Sequence, residues 1–380
     1  MRRKRLASPR RLVAQVHSWA GAIAFAFVFL ISLSGVLSGL AAEMFHWQYG
    51  DVVAPPSPEK GAPYADIDEI IRTASDGYGG DFQLQALLMD DTRFEIGAAM
   101  VFGVTPSEHG DPSAVALMTD PYRADYLGAI DIDTSWASYV IHFHDSLLLG
   151  EGGGVTIAIV GLLMIAFVFT GLYQWLPLNG RVWRKATRLH LRGNARAKMF
   201  HLHSLIGFWL ALPVLLFTFT GVYLSKPAWF GDVFEVSSFE ETPPWDNNPV
   251  KACSGNTVSP SAAAELAEAA FPDRRLALLS PPRGDNRSYF LRLKGAGDAN
   301  KLYGDAAAWV HADCPGRLHT VVMDPNARQT FGAMIHSLHS GRTFGAFGLP
   351  LIILTGIGLA LLSVAGVFVW WKQTFRNGLK

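Results

Sequence analysis

Only two of the 380 residues are cysteine, and no Cys-x-x-Cys or Cys-x-x-Cys-His run occurs. That scarcity makes a disulfide scaffold, a zinc ribbon, a thioredoxin-like redox motif and a covalently attached c-type haem poor expectations. Charge is also sparse: 17% of residues are Asp, Glu, Lys or Arg against 50% apolar, and the mean hydropathy is positive. A wholly soluble globular chain is disfavoured by that balance. Neither sign of charge is in excess, with 32 basic and 32 acidic residues, whereas nucleic-acid-binding chains carry a basic surplus. No nucleic-acid partner is expected. No Gly-x-Gly-x-x-Gly stands after a strand and no Walker loop is present, so no recognisable nicotinamide, flavin or ATP site is expected either.

What the chain does have is long charge-free runs. Four of them, residues 12–42, 152–180, 199–225 and 343–371, exceed the roughly 20 residues that a membrane-spanning helix needs. The first follows Arg2, Arg3, Lys4 and Arg5 and ends on Gly39-Leu40-Ala41-Ala42, which resembles a signal-peptide cleavage site. Its apolar run is well beyond a signal h-region, so residues 1–42 are read as a cytoplasmic N-terminus and a first span. Six Lys/Arg precede it, seven fall between 181 and 198, three follow the fourth span, and none of these segments contains Asp or Glu. By the positive-inside rule both termini, the basic loop 181–198 and the tail 372–380 are cytoplasmic, and residues 43–151 and 226–342 lie outside. The seven basic residues of the loop set topology first and attract anionic membrane lipid or an acidic donor protein second.

Each outer segment is long enough for a small α+β domain with an antiparallel sheet and a helix on one face. In the first, residues 64–74 read as a helix and 82–88, 93–101 and 115–119 as strands. The second repeats the order, with a helix at 261–270 and strands at 275–279, 288–293 and 320–323. Cys253 and Cys314 both fall in the second, in a compartment that permits a disulfide, and a bond between them is expected over two buried free thiols. The spans repeat as well. His17-Ser18-Trp19-Ala20-Gly21 aligns with His203-Ser204-Leu205-Ile206-Gly207, with Gly35 and Gly221 following at the same distance. Without a gap, Phe143-His144 aligns with Leu338-His339, Gly150 with Gly345, Gly171 with Gly366, and Trp175 with Trp370. The expected fold is therefore membrane α-helical, four transmembrane helices arising from an internal duplication, with a pseudo-twofold axis along the membrane normal.

That duplication selects among the twelve histidines. It matches His17 with His203 at the cytoplasmic face and His144 with His339 at the outer face, so that each pair faces across the bundle. Ionisable side chains in spans are costly and functional by default. Opposed imidazoles on neighbouring helices suit the two axial positions of a flat iron macrocycle, giving two haem b groups. Gly21 and Gly207, one turn after His17 and His203, leave helix faces without a Cβ for a ring to approach. His336 lies one turn before His339 and is an alternative outer ligand; His201, His142 and His190 are weaker candidates. Zinc competes for histidine-rich sites, but it recruits carboxylates or thiolates, and only Asp145 is near. The glycines at 35, 161, 171, 207, 221, 356, 358 and 366 are read mainly as helix-packing positions.

Helix, outer domain and helix in duplicate, with histidines at the span ends, resemble the PepSY-associated transmembrane family of iron-regulated inner-membrane proteins. The resemblance rests on the His-x-x-x-Gly starts at His17 and His203 and on the Leu/Phe-His run with glycine six later at His144 and His339. It rests also on the strand turns Thr119-Asp120-Pro121 and Met323-Asp324-Pro325. It implies two periplasmic PepSY-like domains and a di-haem ferric-siderophore reductase that passes electrons across the inner membrane to release iron as Fe(II). Some relatives carry a fused flavin domain, and this chain has none, so the donor, quinol or a cytoplasmic reductase, is separate. Two other readings stand beside it: a non-catalytic PepSY-type binding protein with structural histidines, and a haem-handling permease in which haem is cargo.

Overall fold

The computed structural model describes residues 8–53, 62–89, 96–106, 112–176, 193–231, 257–284, 286–314, 316–323 and 328–375. The chain divides into two compact units, a helical one formed by Met1–Gly39, Val140–Trp229 and Leu338–Lys380, and a sheet-containing one formed by Leu40–Tyr139 and Phe230–Ser337.

The helical unit is built on α1 (Pro9–Gly39), α5 (Gly150–Trp175), α6 (Ala195–Ser225) and α9 (Gly348–Thr374), all long and apolar enough to cross a membrane. Their neighbours run in a ring, α1 on α9, α9 on α6, α6 on α5 and α5 on α1, which puts α1 and α6 on opposite corners. Without a hydrophobic driving force in lipid, such helices associate through small residues that let backbones approach. Gly356 lies against Val36 and Ser32, Gly161 against Val222, and Gly358 against Leu210 and Ile206, so these three are packing glycines as expected. Ala24, Val28, Val160, Met164 and Val214 fill the middle of the bundle. Outside it, Ile23, Leu212 and Leu354 are 77%, 76% and 66% exposed, an apolar surface that suits hydrocarbon and not water.

Helix ends depart from the charge-free runs where backbone conformation, not composition, decides. Helix α1 begins three residues early, at Pro9, which is pre-set for a first turn, and stops at Gly39 because Leu40 (φ −98°, ψ 19°) leaves helical geometry before α2 (Ala41–Tyr49). The fourth candidate span runs Met334–Thr374, and within it the long helix α9 starts at Gly348. Gly341 (φ 74°) and Gly345 (φ 54°) hold a 3₁₀ turn, Arg342–Phe347, that separates α9 from the short helix before it. A Cβ at Gly341 would lie 3.0 Å from the carbonyl of Gly348, so the turn closes on glycine against glycine.

Among the described residues the second unit holds one antiparallel sheet of eight strands in the order β4-β3-β2-β1-β5-β6-β7-β8. Strands β1 (Gln83–Leu88), β2 (Ala99–Thr105), β3 (Ser113–Thr119) and β4 (Tyr126–Asp131) come from the first outer segment. Strands β5 (Arg275–Ser280), β6 (Ser288–Lys294), β7 (Ala306–His311) and β8 (Leu318–Val322) come from the second. Two separate sheets were the expectation; instead β1 and β5 pair through Leu87 with Leu279 and Leu88 with Leu278, which removes an open edge from each half. Helices α3 (Ile67–Tyr78) and α7 (Pro260–Ala270) cover one face. Asp66 caps α3 by accepting from the Glu69 N–H and Gly79 ends it at φ 67°, while Ser259 caps α7 with Pro260 in the first turn. The two helices are tied reciprocally: Asp68 N–H donates to Ser261 Oγ (2.8 Å) and Ser261 N–H to Asp68 Oδ1 (3.2 Å). Beneath them Leu87, Leu117, Leu279, Leu291 and Leu293 are wholly buried. Leu291→Ala is expected to cost about 2–5 kcal/mol, read as a lowered thermal midpoint of the full chain.

Strands β4 and β7 have no counterpart in the sequence reading. Gly128 (φ 150°) interrupts β4, and Ala306-Ala307-Ala308 gives β7 little β-propensity, so each forms only because its neighbours pair with it. Two further helices, α4 (Trp136–Ser146) and α8 (Arg328–His339), precede α5 and α9, and their closing residues belong to the helical unit. Cys314 is buried and disulfide-bonded; Cys253 lies outside the described residues.

Candidate functional site: two opposed histidine pairs

His17 and His203 each stand ninth in their helix, α1 and α6, on opposite corners of the bundle. Their ring centroids are 6.4 Å apart with planes at 86°. His17 Nδ1 lies 2.9 Å from Thr170 Oγ1, and that hydroxyl donates to the Ala166 carbonyl at 2.7 Å. With its own proton spent on Ala166, Thr170 Oγ1 accepts, so His17 Nδ1 carries the ring proton. His203 Nδ1 lies 2.9 Å from the Leu362 carbonyl, which only accepts, so its proton is on Nδ1 too. Both Nε2 atoms are left with a lone pair.

At the other end of the bundle His144, on α4, and His339, the last residue of α8, have centroids 6.1 Å apart with planes at 30°. His144 Nδ1 meets the Ile31 carbonyl at 3.1 Å and Ser34 Oγ at 3.2 Å. His339 Nδ1 meets Thr220 Oγ1 at 2.9 Å, and Thr220 donates to the Leu216 carbonyl at 2.8 Å. The same accounting fixes Nδ1–H on both rings and leaves the lone pair on Nε2. Anchoring Nδ1 on an acceptor is how proteins orient a ligating imidazole and select its tautomer.

Each imidazole also rests on a glycine. A Cβ at Gly35 would come 2.8 Å from His144 Cε1, and one at Gly221 3.0 Å from His339 Cε1. At Gly366 it would meet His203 Cε1 at 3.3 Å, and at Gly171 His17 Cε1 at 3.5 Å. Four glycines read as helix-packing positions are thus seats for four rings, tightest at the second pair. In three of the four seats the residue before the glycine is the hydroxyl that holds Nδ1: Ser34, Thr170 and Thr220. The fourth has Ala365 there and uses a backbone carbonyl instead. A Ser/Thr-Gly dipeptide at matched positions was the sequence signal for these partners.

The remaining candidates fall apart from the pairs. His336 is assigned to the sheet-containing unit, and it is His339 whose ring stands opposite His144. His201 is exposed beside Phe200, and His142 is exposed 3.6 Å from Asp145. His190 lies outside the described residues. A Cβ at Gly21 would meet nothing within 4 Å, and one at Gly207 would make ordinary contact with Leu362, so the first is open space and the second is packed.

Two imidazoles bound through Nε2 to one metal by bonds of about 2 Å would have centroids about 6 Å apart, the spacing of both pairs. A pair of nitrogens leaves most of a metal's coordination to another ligand. Among the described residues no three His, Cys, Asp or Glu side chains converge, so a closed zinc site is not formed there. Counting from His17 to Gly35 along α1, the two seats are separated by about 27 Å of helix rise, with the apolar mid-bundle cluster between them.

A family model described as the PepSY-associated TM region matches residues 14–373. An uncharacterized protein of Pseudomonas aeruginosa is 33% identical over 82 residues, which is 22% of this chain and 20% of the relative. The chain thus matches about a fifth of that relative's length.

Proposed function

The chain belongs to the PepSY-associated transmembrane family, a multi-pass membrane protein with four apolar helices, and from that premise and the paired histidines we propose a di-haem inner-membrane ferric-siderophore reductase. His17 with His203 would hold one haem b, and His144 with His339 the other. When bound, haem iron supplies one-electron redox chemistry. The observation that carries the reading is the shared design of four rings: Nδ1 on an acceptor, which puts the lone pair on Nε2, a glycine under each, and partners about one metal-bridged spacing away.

The matched landmarks point to an internal duplication, each copy giving one helix of α1 or α6, a four-stranded PepSY-like half and a final span. Lys/Arg segregation supports cytoplasmic termini and a periplasmic sheet unit. The first pair then serves a separate cytoplasmic or quinol donor and the second pair a periplasmic ferric chelate, whose Fe(II) product fits hard oxygen ligands poorly. The protein's own work is to bind, to orient and to exclude water: the apolar mid-bundle keeps charge and solvent from crossing, while Thr170, Leu362, Ile31, Ser34 and Thr220 hold the rings.

Visible spectra of the detergent-purified full chain, oxidised and dithionite-reduced, with pyridine haemochrome quantitation, test this. Two low-spin b haems per chain, reoxidised by a ferric siderophore, are expected; colourless protein from haem-replete cells defeats it and favours a PepSY-type binding protein. Freely exchanging haem would favour a haem-handling permease. Thr170→Val removes the acceptor for His17 and is expected to weaken haem binding at the first pair about 10- to 100-fold, with Thr170→Ser restoring it.

A further inference from the structure

Three buried side-chain donors of the helical unit have no hydrogen-bond partner among the described residues: Ser38 Oγ, Thr343 Oγ1 and Trp370 Nε1. Buried polar groups are almost always paired, so an orphan asks for a reason. All three stand four residues after a member of a histidine seat. Ser38 follows Ser34 along α1, Trp370 follows Gly366 along α9, and Thr343 follows His339 in the turn after α8. On a helix, four residues is one turn on the same face.

Their displacement has a direction. Ser38 is next to the last residue of α1, and Trp370 is fifth from the end of α9. The two helices pack antiparallel, with Gly39 against Ile352 and Gly356 against Ser32, so these two ends are opposite ends of the bundle. Ser38 and Trp370 therefore each sit on the end side of their own seat, away from the apolar middle, and Thr343 lies in the turn that leads into α9 at the same end as Ser38. A haem has one polar edge, which carries two carboxylates, and in a membrane protein that edge must be hydrogen-bonded and turned toward water.

We infer that Trp370 Nε1 donates to a carboxylate of the macrocycle held by His17 and His203, and that Ser38 and Thr343 donate to one on the macrocycle held by His144 and His339. The two carboxylate edges then point in opposite directions, each to the nearer end of the bundle. This rests on the haem reading of the pairs and adds to it a carboxylate-binding flank and an orientation. An indole N–H can only donate, which suits an anionic acceptor.

The test uses the purified full chain, stripped of haem and reloaded with iron protoporphyrin IX or with its dimethyl ester, whose carboxylates are blocked. Loss of the Soret band to excess apo-globin gives the two release rates. The wild type is expected to release the ester about tenfold faster, which corresponds to about 1.4 kcal/mol. Trp370→Phe is expected to speed release of natural haem from one site by a similar factor, and Ser38→Ala with Thr343→Val from the other, with a clearly smaller effect of each variant on the ester, whose carbonyls are neutral and weaker acceptors. Equal release of haem and ester by the wild type, or a variant effect that is as large with the ester as with haem, overturns the inference while leaving two bound haems intact. Failure to take up either macrocycle would remove the haem reading itself.

Discussion

His17→Ala and His203→Ala are each expected to leave the purified chain with one haem in place of two, and His144→Ala and His339→Ala to do the same at the other end. The expectation follows from the separation of the seats. About 27 Å of helix rise and a cluster of Ala24, Val28, Val160, Met164 and Val214 lie between them. Losing an axial nitrogen should cost more than the roughly 10- to 100-fold attributed to a lost orienting partner, so the affected haem should be gone after purification and not merely weakened. Within a pair the two alanine variants should not add, because either one removes the same site; the His17→Ala/His203→Ala double variant should retain one haem, as each single does. A combination across ends, His17→Ala with His339→Ala, should retain none. Pyridine haemochrome per chain reads all of these, and retention of both haems in all four singles would refute the assignment.

The sequence carried the spans and the pairs for different reasons. Spans are legible because a run of apolar residues beyond about 20 has few other uses. The pairs are legible because the His-x-x-x-Gly run occurs twice in the sequence: His17 alone would pass for an interfacial histidine, and its match to His203 is what favours reading the two as a pair. What stayed hidden depends on which element arrives beside which. Thr170 and Thr220 satisfy their own helix carbonyls at Ala166 and Leu216, as hydroxyls in apolar helices normally do, and their second bond exists only because a histidine lies opposite. Helices α4 and α8 carry His144 and His339 into the bundle, yet each is short, holds polar residues and ends in backbone that composition does not announce. Leu147 and Leu148 close α4 at φ 52° and 59°, and Gly341 and Gly345 serve α8. The joining of two half-sheets was equally silent, because the Leu87–Leu279 and Leu88–Leu278 pairs relate residues almost two hundred positions apart.

Gly35→Ala is expected to be nearly as damaging as loss of His144 itself, and Gly21→Ala nearly silent, although both replace a glycine by a good helix former in the same helix. On propensity alone the two changes should stabilise α1 by similar amounts, about 1 kcal/mol each. Space separates them. At Gly35 the new methyl would stand 2.8 Å from His144 Cε1 and 3.3 Å from Nδ1, so the ring must retreat, and the ring is held from behind by Ile31 and Ser34. Retreat breaks those bonds and carries Nε2 away from its partner across the bundle, and a displacement of a few tenths of an ångström is a large fraction of a metal bond of about 2 Å. At Gly21 a methyl meets nothing within 4 Å. Gly221→Ala, at 3.0 Å from His339, should resemble Gly35→Ala; Gly366→Ala at 3.3 Å and Gly171→Ala at 3.5 Å should weaken their haem progressively less. The ordering, haem content falling in the sequence Gly21, Gly171, Gly366, Gly221, Gly35, is a graded test of seats against packing. If all five variants kept full haem, or lost it in proportion to helix stability alone, the rings would not be resting on these glycines as ligands.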